Sequence, residues 1–258
     1  MSGTVPQGRF VWYDLITTDV EAAADFYTDL VGWGTTSWEG DQRYLIWTNK
    51  EVPLGGVMTL PEEARRSGTA SHWLAYVAVP DTDATVAKAL RLGAKVVVSA
   101  TDIPTIGRFA VLQDPQHAVF AVFTPSEEPP GYDGPPGIGE FSWHELATGD
   151  QTAAFEFYRA IFGWERTDAY DMGEMGVYHM YGCAGTGVPL GGMFDKPKDL
   201  PPSWLLYVRV DDVKQAAEKV KELGGTVLNG PMEVPGGDMV AQCLDPQGAA
   251  FALHSTAE

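Results

Sequence analysis

Two acids stand in stretches that are otherwise aromatic and aliphatic: Asp14, in Phe10-Val11-Trp12-Tyr13-Asp14-Leu15-Ile16, and Glu145, in Trp143-His144-Glu145-Leu146. Both runs have the composition of β-strands. Alternate residues of a strand share a face, so Trp12, Asp14 and Ile16 go together, as do Trp143 and Glu145. An acid turned into a protein interior must be paired or must face a ligand. Unpaired and desolvated, its pKa would rise and it could act as a general base, the one metal-free catalytic role these residues suggest. Arg108 or Arg209 could neutralise one of them, and a structural ion pair stands level with a functional carboxylate. The indoles of Trp12 and Trp143 offer a broad apolar face and one N–H donor for a flat ligand, or they fill core volume. Tyr76 and Tyr207 share predicted faces with Leu74 and Leu205, and their hydroxyls are available to a ligand or to the two acids. His117 and His179 lack partners at ligand spacing and His144 alternates away from the acid's face, so each is expected to be a surface or internally satisfied histidine. No Ser-His-Asp or Cys-His arrangement can be read from spacing. Gly55-Gly56 and Gly191-Gly192 lack a phosphate-loop pattern around them and mark a bulge or a close backbone approach.

The elements that must position these residues are written twice. An offset of 131 relates Trp12 to Trp143, Asp19 to Asp150, Phe26-Tyr27 to Phe157-Tyr158, Gly32-Trp33 to Gly163-Trp164, Trp73 to Trp204, Tyr76 to Tyr207, Gly93 to Gly224 and Asp114 to Asp245. Only the Gly-Gly pair breaks step, at 136. The chain is therefore a duplication. In the first copy the opening strand is followed by a helix capped by Asp19 and ended by Gly32, then by strands over 44–48 and 54–59 joined by a turn at 49–51. After a polar loop over 61–69, a strand over 72–79, a helix over 82–92 and strands over 95–99, 108–113 and 119–123 follow. Helices over about 150–162 and 212–223 repeat the order. Each half thus reads as βαβββ twice over, with one strand of the first module lacking a signal. Residues 125–139 hold five prolines and four glycines and read as a linker that lets the halves dock side by side.

The balance of 17 basic against 35 acidic residues gives a net charge of −18, a field that repels phosphate backbones and anionic lipid. Nucleic acid and membrane surfaces are therefore not expected as partners, and a neutral or cationic small-molecule ligand is. No run approaches the roughly 20 apolar residues of a membrane helix, and residues 1–9 have no apolar secretion core, so a cytoplasmic protein is expected. Cys183 and Cys243 have no paired spacing and imply no disulfide framework. A homodimer is the one assembly left open.

A strand followed by [TG]-D-x-x-x-A-x-x-F-Y-x-x-x-x-G-W, with a closing D-P-Q-[HG]-x-x-F, resembles the vicinal oxygen chelate superfamily of glyoxalases, bleomycin-resistance proteins and extradiol dioxygenases, and more narrowly its tandem-domain glyoxalase-like subgroup. The resemblance covers nearly all of both halves. It implies an α+β fold of tandem glyoxalase-like domains, each of two βαβββ modules curled into a half-open barrel: domain 1 over 1–124, the linker over 125–139 and domain 2 over 140–258. It also implies a cavity in which His, Glu or Gln from the first and last strands of each module hold a divalent metal acting as Lewis acid. The positions that match are Trp12, Leu74 and Ala121 in one half and Trp143, Leu205 and Ala252 in the other, and 54–58 and 190–194 hold no acid, His or Gln. None can ligate such a metal.

The expectation is a glyoxalase-like protein with no metal and no cofactor that binds a hydrophobic or cationic small molecule, sequestering it or assisting a metabolic or antibiotic pathway. Its ligand-facing residues would be Trp12, Asp14, His72, Tyr76, Arg108, Trp143, Glu145, Tyr207 and His254. A second reading is a lyase, isomerase or dioxygenase whose metal sits on Glu145 and His254, each two residues beyond a ligand position; in the first half their equivalents are Asp14 and Phe123, with His72 in place of Ser203, so a site there would use Asp14 and His72 instead. A third is a scaffold with plugged cavities that acts through its surface. Whether the protein is an enzyme stays open at this point.

Overall fold

The structure, a computed structural model, describes residues 7–38, 44–127 and 135–257. Part of the expected linker, 128–134, lies outside the described residues. The first half runs β1 (Phe10–Thr17), α1 (Val20–Val31), β2 (Gly34–Ser37), β3 (Tyr44–Asn49), β4 (Val52–Thr59), α2 (Glu62–Arg66), β5 (His72–Ala78), α3 (Thr82–Arg91), β6 (Lys95–Ile103), β7 (Gly107–Gln113) and β8 (Val119–Pro125). The second runs β9 (Phe141–Thr148), α4 (Gln151–Phe162), β10 (Glu165–Asp171), β11 (Val177–Gly182), β12 (Pro189–Asp195), β13 (Ser203–Arg209), α5 (Val213–Glu222), β14 (Thr226–Glu233), β15 (Met239–Leu244) and β16 (Ala250–Ser255).

Helices α1, α3, α4 and α5 begin where the sequence supplies an aspartate. Asp19, Asp81, Asp150 and Asp212 each take an orphan amide of the first turn, from Ala22, Ala84, Ala153 and both Lys214 and Gln215 respectively. Gly32 and Gly163 then end α1 and α4 at φ of 78° and 74°, a left-handed conformation open to glycine at no steric cost. Two expectations need correcting. The strand without a signal in the first module is β2, whose Gly-Thr-Thr-Ser is exposed throughout and so has no apolar alternation to read. The polar loop over 61–69 contains α2, held by Glu62 bonding to Arg65 at 2.8 Å and to Arg66 at 3.1 Å.

The strands form two eight-stranded mixed sheets, ordered β2-β3-β4-β1-β5-β8-β7-β6 and β10-β11-β12-β9-β13-β16-β15-β14, neither closed into a barrel. The first and last strands of each module pair in parallel, with Asp14 opposite Gly56 and Glu145 opposite Gly192. That register puts each acid beside the second glycine of a Gly-Gly pair.

The chain divides into two compact units, and neither is a half. One comprises 1–11, 75–133 and 143–204; the other comprises 12–74, 134–142 and 205–258. Each unit thus joins a module from one half to a module from the other, where side-by-side docking of intact halves is expected from sequence. In the first unit Tyr158 donates its hydroxyl to Asp114 at 2.9 Å, the Trp164 indole donates to the Gly8 carbonyl at 2.7 Å, and Phe120 packs edge-on against Phe157, Tyr158 and Phe162. In the second, Tyr27 donates to Asp245 at 3.2 Å and receives the Trp73 indole at 3.0 Å, while Trp33 donates to the Gly139 carbonyl at 2.7 Å. The Phe-Tyr motif of one half therefore meets the Asp-Pro-Gln motif of the other. The remaining oxygen of each aspartate closes its own turn, Asp114 on the amides of Gln116 and Ala118 and Asp245 on those of Gln247 and Ala249. Burial pushes both carboxyls above their ordinary range and both tyrosines well above theirs.

Candidate functional site

Each unit carries one copy of a three-residue cluster on the opening strand of a half. In the second unit the Trp12 indole N–H is shared between Asp14 Oδ1 at 2.9 Å and the Tyr44 hydroxyl oxygen at 2.8 Å, and the Tyr44 hydroxyl donates to the same Asp14 oxygen at 2.7 Å. In the first unit the Trp143 indole donates to the Tyr178 hydroxyl oxygen at 2.7 Å, and Tyr178 donates to Glu145 Oε2 at 3.0 Å. Asp14 and Glu145 are buried, while the two tryptophans are half-buried. Burial, and then the Asp14 charge, drive the Tyr44 phenol far above its ordinary range, so it remains a neutral donor at any working pH.

Tyr44 and Tyr178 are absent from the residues singled out by sequence, although a signal for them exists. They lie on β3 and β11, paired in antiparallel register with Met58 and Tyr170 respectively, and their rings occupy the space beside Gly56 and Gly192. A Cβ at Gly56 would overlap the Tyr44 hydroxyl and ring, and one at Gly192 would overlap the Tyr178 ring. The preceding glycines have a different function, because a Cβ on Gly55 would strike the Tyr13 carbonyl and one on Gly191 the His144 carbonyl. The expected close backbone approach is thus present, and its second half makes room for a tyrosine.

The other expected site residues fall elsewhere. Arg108 does not serve as a neutralising partner: its guanidinium is held by Asp83 at 2.8 Å and Asp102 at 2.8 Å on an exposed face, which pushes its pKa up. Arg209 donates to the Pro136 carbonyl and to Thr256. His72 turns Nδ1 to the Ala70 carbonyl at 2.8 Å. Tyr76 is buried with its ring 6.0 Å from Phe109, and Tyr207 accepts a long bond from Gln242 at 3.4 Å. His254 has both ring nitrogens engaged, Nδ1 with Ser142 at 2.8 Å and Nε2 with Asp238 at 3.0 Å. His144 is internally satisfied as expected: it is buried, stacked on Phe10, and hydrogen-bonded to the Leu190 carbonyl at 2.8 Å.

Comparison with known proteins places this architecture. The family model described as Glyoxalase/Bleomycin resistance protein/Dioxygenase superfamily matches residues 138–253, and that described as Glyoxalase-like domain matches residues 11–123. The chain is 32% identical to the anthracycline biosynthesis protein DauV of Streptomyces sp. (strain C5), covering 95% of this chain and 92% of that one. The chain belongs to the glyoxalase/bleomycin resistance/dioxygenase superfamily. Among other members, the anthracycline biosynthesis protein DnrV of Streptomyces peucetius is also 32% identical over the same shares, and a putative glyoxylase, CFP32, of Mycobacterium bovis is 39% identical over 47% of this chain and 46% of its own. Solved superfamily structures share the fold: a Mn(II)-bound glyoxalase from Novosphingobium aromaticivorans (TM-score 0.65, 17% identity, 98% of this chain and 83% of that one) and the 2,3-dioxygenase LapB from Pseudomonas sp. KL28 (TM-score 0.67, 11% identity, 98% and 94%).

The positions that the resemblance assigns to metal ligands lie on β1, β5 and β8 (Trp12, Leu74 and Ala121) and on β9, β13 and β16 (Trp143, Leu205 and Ala252). An indole nitrogen donates and has no lone pair to give, and aliphatic side chains have none. Among the described residues no group of three or more His, Cys, Asp or Glu side chains is placed to hold an ion. None of the described helices is long and apolar enough to cross a membrane.

Proposed function

We propose that this protein binds a hydrophobic or cationic small molecule without a metal, in a sequestering or accessory role within a metabolic or antibiotic pathway. The observation that carries this reading is the repeated cluster of tryptophan, tyrosine and carboxylate, built where the superfamily would place a metal ligand. A half-buried indole supplies an aromatic surface, and the acid beside it supplies a carboxyl group for a basic partner. A flat aromatic compound with a basic group satisfies both, and the net charge of −18 favours a cation over an anion. The similarity to two anthracycline biosynthesis proteins over nearly their whole length supports a planar polycyclic compound of that class as the ligand. The cytoplasm is the proposed setting.

The metal-dependent alternative on Glu145 and His254 loses support from the two bonds that occupy His254. The test is a thermal shift of the purified chain against planar aromatic compounds with and without an amino group, alongside metal analysis. A binder at a hundred times its Kd should stabilise the fold by about 2.7 kcal/mol. The expected result is stabilisation by the amino-bearing compounds, unaffected by chelator. One equivalent of divalent metal per chain, lost together with function on chelation, overturns the proposal, and no shift across the panel favours a surface-acting scaffold.

A further inference from the structure

The second unit contains a hydrogen-bonded series that neither the clusters nor the core employs. Ser142 Oγ lies 2.8 Å from His254 Nδ1, and His254 Nε2 lies 3.0 Å from Asp238 Oδ2. An ionised carboxylate only accepts, so Nε2 carries the ring proton and Nδ1 turns its lone pair toward the serine hydroxyl, for which the Tyr207 carbonyl at 3.4 Å is the longer, competing acceptor. The other oxygen of Asp238 receives the Ala257 amide at 2.9 Å. Burial works against charge on Asp238, but the bonds from Ala257 and His254 outweigh it and hold the carboxyl below its ordinary range. Ser142 is half-buried and the His254 side chain keeps 16% of its surface exposed, so the series is not sealed into the core.

The duplication provides an internal control. At the 131-residue offset, Ser142, His254 and Asp238 correspond to Val11, Phe123 and Gly107. The first half closes this corner with apolar side chains and a glycine, so the fold does not require a polar series there. We propose that Ser142, His254 and Asp238 form a nucleophile, base and acid relay that takes an acyl group from small activated carboxylic esters. Ser142 Oγ attacks the ester carbonyl carbon while its proton passes to His254 Nδ1; collapse of the tetrahedral adduct breaks the carbon to alkoxide bond, and the imidazolium returns that proton to the departing alcohol. Water, deprotonated by the same nitrogen, then cleaves the acyl-serine to the free acid, and Asp238 fixes the ring tautomer throughout. The relay uses none of the residues of the tryptophan, tyrosine and acid clusters, and its success or failure leaves the ligand-binding proposal untouched.

The experiment is reaction of the full chain with p-nitrophenyl acetate, followed by absorbance and by peptide mass mapping. The expected result is release of p-nitrophenolate with an acetyl group on Ser142. Ser142→Val and His254→Phe install the residues the first half already carries, so both should fold, as checked by melting. Each should slow acylation by roughly a hundredfold or more. Asp238→Asn should slow it while leaving the acetyl group on Ser142. No acylation of the parent, acetyl found only on other residues, or Ser142→Val reacting at the parent's rate would each overturn the relay.

Discussion

His144 should make the protein acid-labile in a window that a single substitution removes. Its ring lies face to face with Phe10, with centroids 3.7 Å apart and an interplanar angle of 3°, and Nδ1 donates to the Leu190 carbonyl. Burial of the neutral imidazole pulls its pKa down from 6.5 to about 4. In the unfolded chain the ring takes its proton near the ordinary histidine value, whereas the folded protein resists protonation until about pH 4. Between those points the unfolded state binds more protons, so stability is fully present above pH 6.5 and is lost as pH falls toward 4. A gap of about 2.5 pH units at about 1.36 kcal/mol each gives about 3 kcal/mol. At roughly 2–4 °C per kcal/mol for a chain of this size, the melting temperature should fall by about 6–12 °C from this residue alone. Carboxylates titrate in the same range, so the readout is the difference between the parent and His144→Phe, each melted from pH 7.5 to pH 4. The variant starts lower because the Leu190 carbonyl loses its donor, but its slope should be shallower by that amount. Parallel slopes in the two proteins would refute the reasoning.

Three further substitutions test the packing of the site and of the core. Gly192→Ala places a Cβ inside the Tyr178 ring and should cost about 1–3 kcal/mol by overpacking; it should also break the bond from Trp143 to Tyr178, seen as a changed tryptophan emission, and unchanged emission and stability would show that the ring can shift freely. Tyr158→Phe removes the hydroxyl held by the buried Asp114 and should cost about 1.5–3 kcal/mol in denaturant titration, a loss Tyr27→Phe should match in the other unit through Asp245.

Much of the fold was legible because the chain states it twice. The aspartate caps, the glycine helix ends and the Gly-Gly pairs each carry a local steric or hydrogen-bonding reason, and such reasons survive without tertiary context. β2 and α2 were not legible, since one has no apolar alternation and the other is fixed by ion pairs on an exposed surface. At the site, Trp12 with Asp14 and Trp143 with Glu145 follow from strand alternation. Tyr44 and Tyr178 arrive from another strand, and only the missing Cβ of Gly56 and Gly192 hinted that something bulky lay there. Arg108 is not beside either acid because a charged side chain near a strand end is taken by its neighbours, here Asp83 of α3 and Asp102 of β6, which periodicity does not reveal.

The crossed pairing of tyrosine and aspartate makes the two gene copies hostage to each other. Cutting the coding sequence at the proline-rich segment would not release two self-sufficient proteins, because each product would lack the aspartate its own tyrosine addresses. Mixed in solution, the fragments should recover their shape only together. What differs between the copies is the lining of each opening strand, where one has an aspartate and the other a glutamate.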